Sequence, residues 1–381
     1  MAVYQLLVLF VLIGFVAFTT QNLRAYRRIP ACIDQGSGTV AVLVPARNES
    51  GNIGECLLNL KGQDYQHLLI YVLDDQSDDD TAEIVAQAMV TDTRIILLHG
   101  QPKPDDWAGK VWACAQLGKQ AVEDGAHWLL FLDADTRADS KLVSSLVCAA
   151  TEYAADMTTT FPRQVTGTFW EWIAMPVLHF LITTFLPVNL VADARFPAVV
   201  AGCGQVELFT REAYLATGGH AAVRHSFHDG LQLARLTKRL KMRVFLCDAS
   251  HLISCRMYRS GTEVWNGFTR NAYEGLGSTA ALMTMSLLTV ILFVLPVGFW
   301  LAGLALASSL LVWVCTLQVL AIATIRIMQA RRFGHMLSIL LHPLSMLMLV
   351  AVQWASYLRF RRGSSTEWKG RNYSSSGANN N

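Results

Sequence analysis

Charged side chains are scarce in this sequence. Asp, Glu, Lys and Arg make up 16% of the 381 residues, whereas apolar residues make up 52%. A chain this apolar is unlike an ordinary soluble enzyme, yet it carries too many charges for a bundle of membrane helices alone. The composition therefore predicts a soluble domain attached to membrane segments.

Several motifs are also absent. The formal net charge is only +2, and no basic run with interleaved aromatic residues occurs, which disfavours nucleic acid as a partner. No Gly-x-Gly-x-x-Gly follows the first predicted strand and no Gly-x-x-x-x-Gly-Lys-Ser/Thr occurs, so a dinucleotide cofactor and a P-loop are disfavoured. The eight cysteines form no Cys-x-x-Cys pair and have no metal-ligand spacing, which predicts free thiols in a reducing compartment.

The N-terminus has the pattern of a retained membrane anchor. Residues 3–18 are almost continuously apolar and lack a basic segment before them, whereas Arg24, Arg27 and Arg28 follow. A cleavable signal peptide has its positive charge in front of the apolar run. We therefore predict a transmembrane anchor over residues 1–22, with the chain after it in the cytoplasm and the protein in the inner or plasma membrane.

The C-terminal region is again membrane-like. Two spans fit between residues 280 and 325, and a third fits between 335 and 357, so about three transmembrane or membrane-associated helices are expected over 280–358. Three crossings would place the polar tail, residues 359–381, outside. The arginines and lysine of that tail favour the inside, so one segment would have to be re-entrant or interfacial.

A further apolar stretch, residues 169–191, is interrupted by Pro176, His179 and Pro187. Two prolines disfavour a clean crossing. A pair of short interfacial helices, with Trp170 and Trp172 at headgroup depth, is the favoured interpretation. A core helix of the soluble domain is the alternative.

Residues 39–162 alternate short apolar runs with segments of helical period. Strands are predicted at 40–44, 68–73, 94–98 and 129–132, with helices between them and another at 141–149. Repeated strand–helix units are typical of a mainly parallel sheet covered by helices, in which ligands bind beyond the C-terminal ends of the strands. Polar motifs follow three of these strands, at residues 45–49 (Pro-Ala-Arg-Asn-Glu), at 74–81 (Asp-Asp-Gln-Ser-Asp-Asp-Asp-Thr) and at Asp133 and Asp135.

Asp133 and Asp135 resemble a metal and phosphate site. Mg²⁺ and Mn²⁺ take oxygen ligands, often one or two carboxylates completed by water and phosphate. Asp-x-Asp alone is a short motif, and a solvated turn that caps the following helix is the alternative.

Taken together, these motifs resemble inverting family 2 glycosyltransferases of the GT-A fold, in the membrane-tethered branch that includes ceramide, hopanoid and carotenoid glucosyltransferases. The resemblance covers residues 40–271, so a cytoplasmic GT-A domain, a Rossmann-like mainly parallel α/β sheet, is expected over 39–271. It implies that the first two motifs hold the base and ribose of a nucleotide sugar, through Pro45, Arg47, Glu49, Asp74 and Asp75. It also implies a metal bound by Asp135 and Asp133, with Asp133 contacting the nucleotide sugar.

Three further segments resemble this family. Lys110, at the start of a helix, would meet the pyrophosphate or base, although a solvated first-turn lysine is the alternative. The turn at Gly202, Gly204 and Gln205 would approach the donor sugar or the acceptor. Asp229, at the start of an amphipathic helix, would be the general base, with a helix N-cap as its alternative role.

Polymerising relatives carry Gln-x-x-Arg-Trp about forty residues after the base, and residues 255–271 contain no such pentapeptide. Trp265 and Arg270 are candidates for the acceptor side. The resemblance therefore implies transfer of a hexose, glucose from UDP-glucose, to the hydroxyl of a membrane lipid such as a carotenoid, hopanoid or sphingolipid. A polyprenyl phosphate acceptor is the alternative enzyme. A polysaccharide synthase and an inactive membrane scaffold are less favoured.

Overall fold

The structure is a computed structural model that describes residues 2–33, 38–362, 366–368 and 371–373. The chain divides into two compact units. The helical unit comprises Met1–Tyr26, Thr166–Val188 and Tyr258–Ser364, and the sheet unit comprises Arg27–Val165, Asn189–Met257 and Ser365–Asn381.

The strands within the described residues are numbered in chain order. They are β1 (Val40–Ala46), β2 (Leu68–Asp74), β3 (Ile95–His99), β4 (Trp128–Leu132), β5 (Thr136–Ala138), β6 (Met157–Thr160), β7 (Arg163–Gln164), β8 (Val206–Thr210), β9 (Val244–Cys247), β10 (Ile253–Cys255), β11 (Thr366–Trp368) and β12 (Arg371–Tyr373).

The α-helices belong to both units. They are α1 (Ala2–Ala25), α2 (Ile53–Lys61), α3 (Thr81–Thr91), α4 (Gly109–Glu123), α5 (Leu142–Glu152), α6 (Phe169–Phe185), α7 (Arg211–Thr217), α8 (Asp229–Arg239), α9 (Gly261–Leu276), α10 (Thr279–Thr289), α11 (Leu295–Ala305), α12 (Ser309–Phe333) and α13 (His342–Arg361). A π-helical turn, Val290–Val294, joins α10 to α11, and short 3₁₀ turns occur at Val188–Leu190, Gly219–Val223 and Met336–Ile339.

A seven-stranded sheet forms the centre of the sheet unit, in the order β3-β2-β1-β4-β8-β6-β9. All its neighbouring strands pair in parallel except β8, which is antiparallel to both β4 and β6. Most residues of β1, β2 and β4 are buried. Continuous apolar strands of this kind are typical of a parallel sheet with both faces covered. A second, three-stranded sheet has the order β5-β10-β7.

The sequence predictions for this unit are confirmed in outline. The four predicted strands correspond to β1 to β4, and the predicted helices between them correspond to α2, α3 and α4. The helix predicted at 141–149 is α5. The parallel register of β1 and β2 pairs Ala46 with Asp74, so the loops after these two strands begin side by side.

The apolar stretch at 169–191 differs from its prediction. It forms one 17-residue helix, α6, that continues through Pro176, followed by a 3₁₀ turn after Pro187. The expectation of two short helices is therefore wrong. Proline in the middle of a helix usually kinks or breaks it, but α6 continues through Pro176, and the Thr168 side chain caps its N-terminus by accepting a hydrogen bond from the Glu171 N–H at 3.4 Å.

Three helical segments of the described chain are long and apolar enough to cross a membrane: Val3–Ala25, Thr279–Ala305 and Ser309–Phe333. The N-terminal anchor and two C-terminal spans fit the prediction. The third C-terminal span, expected at 335–357, is not among them. Helix α13 covers most of that range, but it buries polar side chains, among them His342, Ser345 and Gln353, and ends with Arg359 and Arg361.

The prediction that all eight cysteines are free thiols is wrong for one pair. Cys32 and Cys148 form a disulfide, with Cα atoms 6.6 Å apart and 116 residues between them in sequence. The segment before β1 lies beside α5, a proximity that spacing along the chain does not reveal. The other six cysteines are free and buried.

Candidate active site

The loops after β1 and β2 are joined by a dense set of hydrogen bonds. The Arg47 guanidinium donates to the backbone carbonyls of Asp75, at 2.6 Å, and Gln76, at 2.5 Å. The backbone N–H of Glu49 donates to the Thr81 hydroxyl at 2.8 Å, and the N–H of Asp75 donates to the Ala46 carbonyl at 2.8 Å. The two predicted nucleotide motifs therefore form one structure at the C-terminal edge of the sheet.

Within this edge, the predicted nucleotide-binding residues differ in exposure. Arg47, Asp74 and Asp75 are buried, and Asp74 accepts a hydrogen bond from the Ser77 N–H at 3.3 Å. Pro45 lies within β1, opposite Leu73 of β2. The structure thus gives Arg47 a role in shaping the two loops, and its contact with a nucleotide stays a prediction.

Lys110 connects three parts of the chain that were predicted separately. It is the second residue of α4, and its Nζ lies 2.7 Å from Asp133 Oδ1, 3.8 Å from Asp229 Oδ2 and 2.8 Å from the Gly204 carbonyl oxygen, to which it donates. The solvated-lysine alternative is wrong, because the side chain is only a quarter exposed. Burial opposes the charged form, but Asp133 and then Asp229 raise the pKa of Lys110 well above its ordinary value.

Asp135 lies next to this ion pair with an incompletely satisfied carboxylate. Its Oδ1 is buried and has no hydrogen-bond partner among the described residues. Burial, followed by the charges of Asp133 and Glu49, raises the pKa of Asp135 to about 7. An orphaned carboxylate oxygen beside further carboxylates is the donor set that a hard divalent cation requires, so these residues fit such an ion.

Three glycines allow the backbone segments of the site to approach one another. A Cβ on Gly202 would lie 2.1 Å from the Gly230 carbonyl oxygen, and a Cβ on Gly204 would lie 2.6 Å from Asp229 Oδ1. A Cβ on Gly230 would lie 2.3 Å from Glu207 Oε1. The Gly-Cys-Gly turn before β8 therefore packs directly on the start of α8, at a distance that leaves no space for a larger residue at these three positions.

Asp229 is the first residue of α8 and is buried. The N-cap of this helix is His228, so the alternative role of Asp229 as the N-cap is wrong. Its Oδ2 has no hydrogen-bond partner in the part of the chain that the structure describes. Although burial opposes ionisation, Lys110 and then His220 lower the pKa of Asp229 below its ordinary value. An ionised carboxylate with an open oxygen suits proton abstraction.

Sequence reasoning missed three buried groups beside Asp229. Glu207 of β8 is fully buried, and neither of its carboxylate oxygens has a hydrogen-bond partner among the described residues. Its pKa is raised well above the ordinary value, mainly by burial and next by the negative charge of Asp229. Burial lowers the pKa of His220 to about 4. One ligand atom each from Cys114, His220 and Asp229 lies within 4.8 Å of the others. The feature of the sequence that could have identified Glu207 is that it is a single glutamate inside the apolar strand Val206–Thr210.

The remaining predicted residues divide between the units. Gln205 is buried and donates from Nε2 to the Cys255 sulfur at 3.0 Å, on the side of the site where Cys255 hydrogen-bonds Asp135. Trp265 and Arg270 lie on α9 of the helical unit, and their role on the acceptor side stays a prediction.

Part of the sequence matches the model of a known family. Residues 41–204 match the model of the family described as Glycosyl transferase family 2. The chain carries a family 2 glycosyltransferase domain. The match includes Lys110, Asp133 and Asp135, and it ends before Asp229.

The chain is similar over most of its length to two curated relatives. It is 25% identical over 350 residues to the 4,4'-diaponeurosporenoate glycosyltransferase of Staphylococcus aureus, with 88% of each chain covered. It is 24% identical over 345 residues to the enzyme of the same name from Staphylococcus haemolyticus, again with 88% of each chain covered.

Among solved structures, the chain is similar to the mannosyltransferase PcManGT from Pyrobaculum calidifontis, which was solved in complex with GDP-Man and Mn²⁺. The TM-score is 0.53 at 15% identity, and the likeness covers 94% of this chain and 98% of the other. At this identity the likeness concerns the fold, and with the family match it confirms the predicted GT-A glycosyltransferase fold.

Proposed function

We propose that this glycosyltransferase moves a hexose, glucose from UDP-glucose, to a carotenoid-type acceptor held in the membrane, with inversion at the anomeric carbon. The name of the two curated relatives supports the acceptor class. The apolar candidate spans of the chain support an acceptor that is delivered from the membrane.

The observation that carries this proposal is the position of Lys110 between Asp133 and Asp229, at 2.7 and 3.8 Å. Asp133 belongs to the strand tip that is suited to a diphosphate, and Asp229 is an ionised carboxylate without a full set of hydrogen bonds. These distances support a site in which the leaving group departs near Asp133 and the proton of the acceptor is taken by Asp229, with Lys110 between them.

The residues suggest the following chemistry. An acceptor hydroxyl attacks the anomeric carbon, its proton passes to a carboxylate oxygen of Asp229, and the bond from the sugar to the nucleoside diphosphate breaks with its electron pair on the diphosphate. Lys110 provides positive charge beside the departing diphosphate and keeps Asp229 ionised. Gly202 and Gly204 let the turn before β8 pack against the start of α8 and so hold Asp229 in place, because a side chain at either position would collide with that helix.

Asp135, together with Asp133, would hold a divalent cation, Mg²⁺ or Mn²⁺. When bound, such an ion supplies charge that stabilises the diphosphate leaving group. Its support in this chain is the orphaned Oδ1 of Asp135.

An acceptor that arrives ionised is the second candidate. The suffix of the relatives' name denotes a carboxylate, and a polyprenyl phosphate would likewise need no proton removed. For either acceptor, Asp229 would have no proton to take, so the two candidates differ in their dependence on that residue.

We also propose that the protein is a multi-pass protein of the cell membrane with its sheet unit in the cytoplasm. With one N-terminal and two C-terminal spans, the chain after Phe333 returns to the side of the sheet unit. The arginines at the end of α13 then lie on the cytoplasmic side, and the conflict that a third C-terminal crossing would create disappears.

A panel of labelled nucleotide sugars tests the reaction. Membranes that contain the protein are incubated with each donor, and the lipids are extracted and identified by mass spectrometry. We expect label from UDP-glucose in a carotenoid-type glycoside, with an initial rate of labelling lower by about 10²–10⁴ in membranes that contain Asp229→Asn. Label from no donor, or label in a polymer, would contradict the proposal.

A further inference from the structure

Arg326 lies inside the candidate span α12. The spans predicted from the sequence, two within 280–325 and one at 335–357, leave it in the stretch between them, but the structure places it seven residues before the end of the helix at Phe333. At 1.5 Å per residue this is about 10 Å from that end. Its side chain is only 3% exposed, whereas Arg331 is exposed.

The hydrogen-bond partners of this buried guanidinium are neutral. Nη1 donates to Gln329 Oε1 at 2.7 Å and Nη2 donates to Ser338 Oγ at 2.8 Å, while Nε is buried with no partner among the described residues. Across residues 2–33 and 38–362, no ion pair joins Arg326 to an acidic side chain. The sequence contains no Asp or Glu at all between residues 275 and 365.

His342, a second group with open hydrogen-bonding capacity, lies against the same aromatic ring as Arg326, that of Phe180. The guanidinium carbon of Arg326 is 5.7 Å from the centroid of Phe180, and the His342 ring centroid is 4.9 Å from it. His342 is buried, and neither ring nitrogen has a partner in the described part of the chain. Burial and the Arg326 charge lower the pKa of His342, which lies outside the three candidate spans, well below its ordinary value. The ring is therefore neutral, and Arg326 is the charge at this place.

Neutral hydrogen bonds alone do not account for an arginine at this position. Gln329, which bonds Arg326, also donates to the hydroxyls of Thr183 and Thr184 of α6, so this polar network does join helices. A neutral side chain could join them without burying a charge. An unpaired charge is strongly disfavoured in a low-dielectric interior, and ionisable groups inside membrane segments usually mark a ligand or ion site.

We propose that Arg326 and His342 form a site for the oxyanion head of a membrane amphiphile, a carboxylate or a phosphate. The open Nε and the adjacent Nη donors suit two oxygens of one anion, which guanidinium groups recognise through parallel hydrogen bonds. A ring N–H of His342, whose ring centroid is 4.9 Å from that of Phe180, supplies a further donor. The anion has two sources, an acidic acceptor molecule or an anionic lipid of the bilayer.

Binding to the full-length protein in neutral detergent tests this site. The probes are two matched pairs, oleate with methyl oleate and phosphatidylglycerol with phosphatidylcholine, and the measurements are native mass spectrometry and the shift in thermal unfolding. We expect at least one anionic probe to bind at least tenfold more tightly than its neutral match. Arg326→Gln should remove that preference, and Arg331→Gln, five residues along the same helix, should keep it.

Enzyme kinetics then separate the two sources. If oleate competes with the acceptor and raises its KM without changing the donor KM, the anion is the head of an acidic acceptor. If phosphatidylglycerol binds without competing, the anion is a bilayer lipid.

Equal binding of anionic and neutral probes to the wild-type protein would overturn the proposal, and this comparison needs no variant. Retention of the full preference in Arg326→Gln would overturn it as well. If Arg326→Gln does not fold, Arg326→Lys and His342→Gln provide the test, because both should weaken anion binding while the neutral probes bind as before. Neither result depends on the reaction at Asp229, so the proposed function and this site fail or hold separately.

Discussion

Replacing Lys110 with methionine removes the charge that joins the two halves of the proposed site, while the apolar stem of the side chain is kept. The variant loses contacts from Nζ to Asp133, at 2.7 Å, to Asp229, at 3.8 Å, and to the Gly204 carbonyl, at 2.8 Å. The diphosphate of a bound donor would then face these carboxylates without the positive charge of Lys110.

In the proposed complex Lys110 donates one hydrogen bond to the diphosphate, and the loss of that bond sets the size of the effect on UDP binding. A hydrogen bond to a charged group contributes about 1.5–3 kcal/mol, and because Lys110 is a quarter exposed, solvent screening reduces this figure. We therefore expect a loss of about 1–2 kcal/mol in UDP binding, a factor of about 5–30. The loss in turnover should be larger, because the carboxylates near the reacting centre also repel one another.

The pH dependence of turnover gives a second readout. The Lys110 charge lowers the pKa of Asp229 against the opposing effect of burial. Without that charge the pKa rises, so a smaller fraction of Asp229 is ionised at a given pH, and the acidic limb of the rate profile moves to higher pH. Lys119→Met is the matched control, because Lys119 lies on the same helix and its ion pair with Glu123 is exposed. Wild-type UDP affinity and an unshifted profile in Lys110→Met would refute this reasoning.

Three further predictions address the metal, the glycine turn and the orientation. Asp135→Asn, or excess EDTA with the wild-type protein, should abolish transfer while the domain stays folded by circular dichroism, and full activity in EDTA would contradict metal dependence. Gly204→Ala should lower turnover at least tenfold, because the added Cβ would displace Asp229 Oδ1, and overpacking of this kind costs about 1–3 kcal/mol. Gly51→Ala is the control and should leave turnover unchanged, because its Cβ would meet no atom within 4 Å. Protease added to intact cells should leave the sheet unit uncut, and cleavage there would reverse the proposed topology. Cleavage would also agree with the Cys32–Cys148 disulfide, because such bonds are rare in reducing compartments.

The strands and the acidic edge could be predicted because their signals are local. β1, β2 and β4 are apolar runs that end in polar motifs, and parallel strands bring such ends to one edge of a sheet. The general-base candidate, Asp229, came from the family resemblance, and the structure adds its contact with Lys110, which is 119 residues away in sequence.

What the sequence did not reveal depends on long-range packing. Glu207 could be recognised only as a polar residue in a strand, and its place against Gly230 requires the antiparallel insertion of β8 between β4 and β6. The Cys32–Cys148 disulfide joins residues 116 apart. In the sequence, Arg326 stands close to Arg331 and Arg332, as an arginine of a loop between two spans would. The structure places it inside a span because α12 continues to Phe333.

The turnover of Asp229→Asn tests the central claim most directly. Asparagine keeps the shape of the side chain but cannot accept the proton, so UDP affinity should stay near wild type while the rate of the chemical step, measured in a single turnover with saturating donor and acceptor, falls by about 10²–10⁴. The protein should unfold at a similar temperature, because the N-cap of α8 is His228 and not Asp229. If Asp229→Asn keeps more than about a tenth of the wild-type single-turnover rate, Asp229 is not the general base, and an acceptor that arrives ionised becomes the better account.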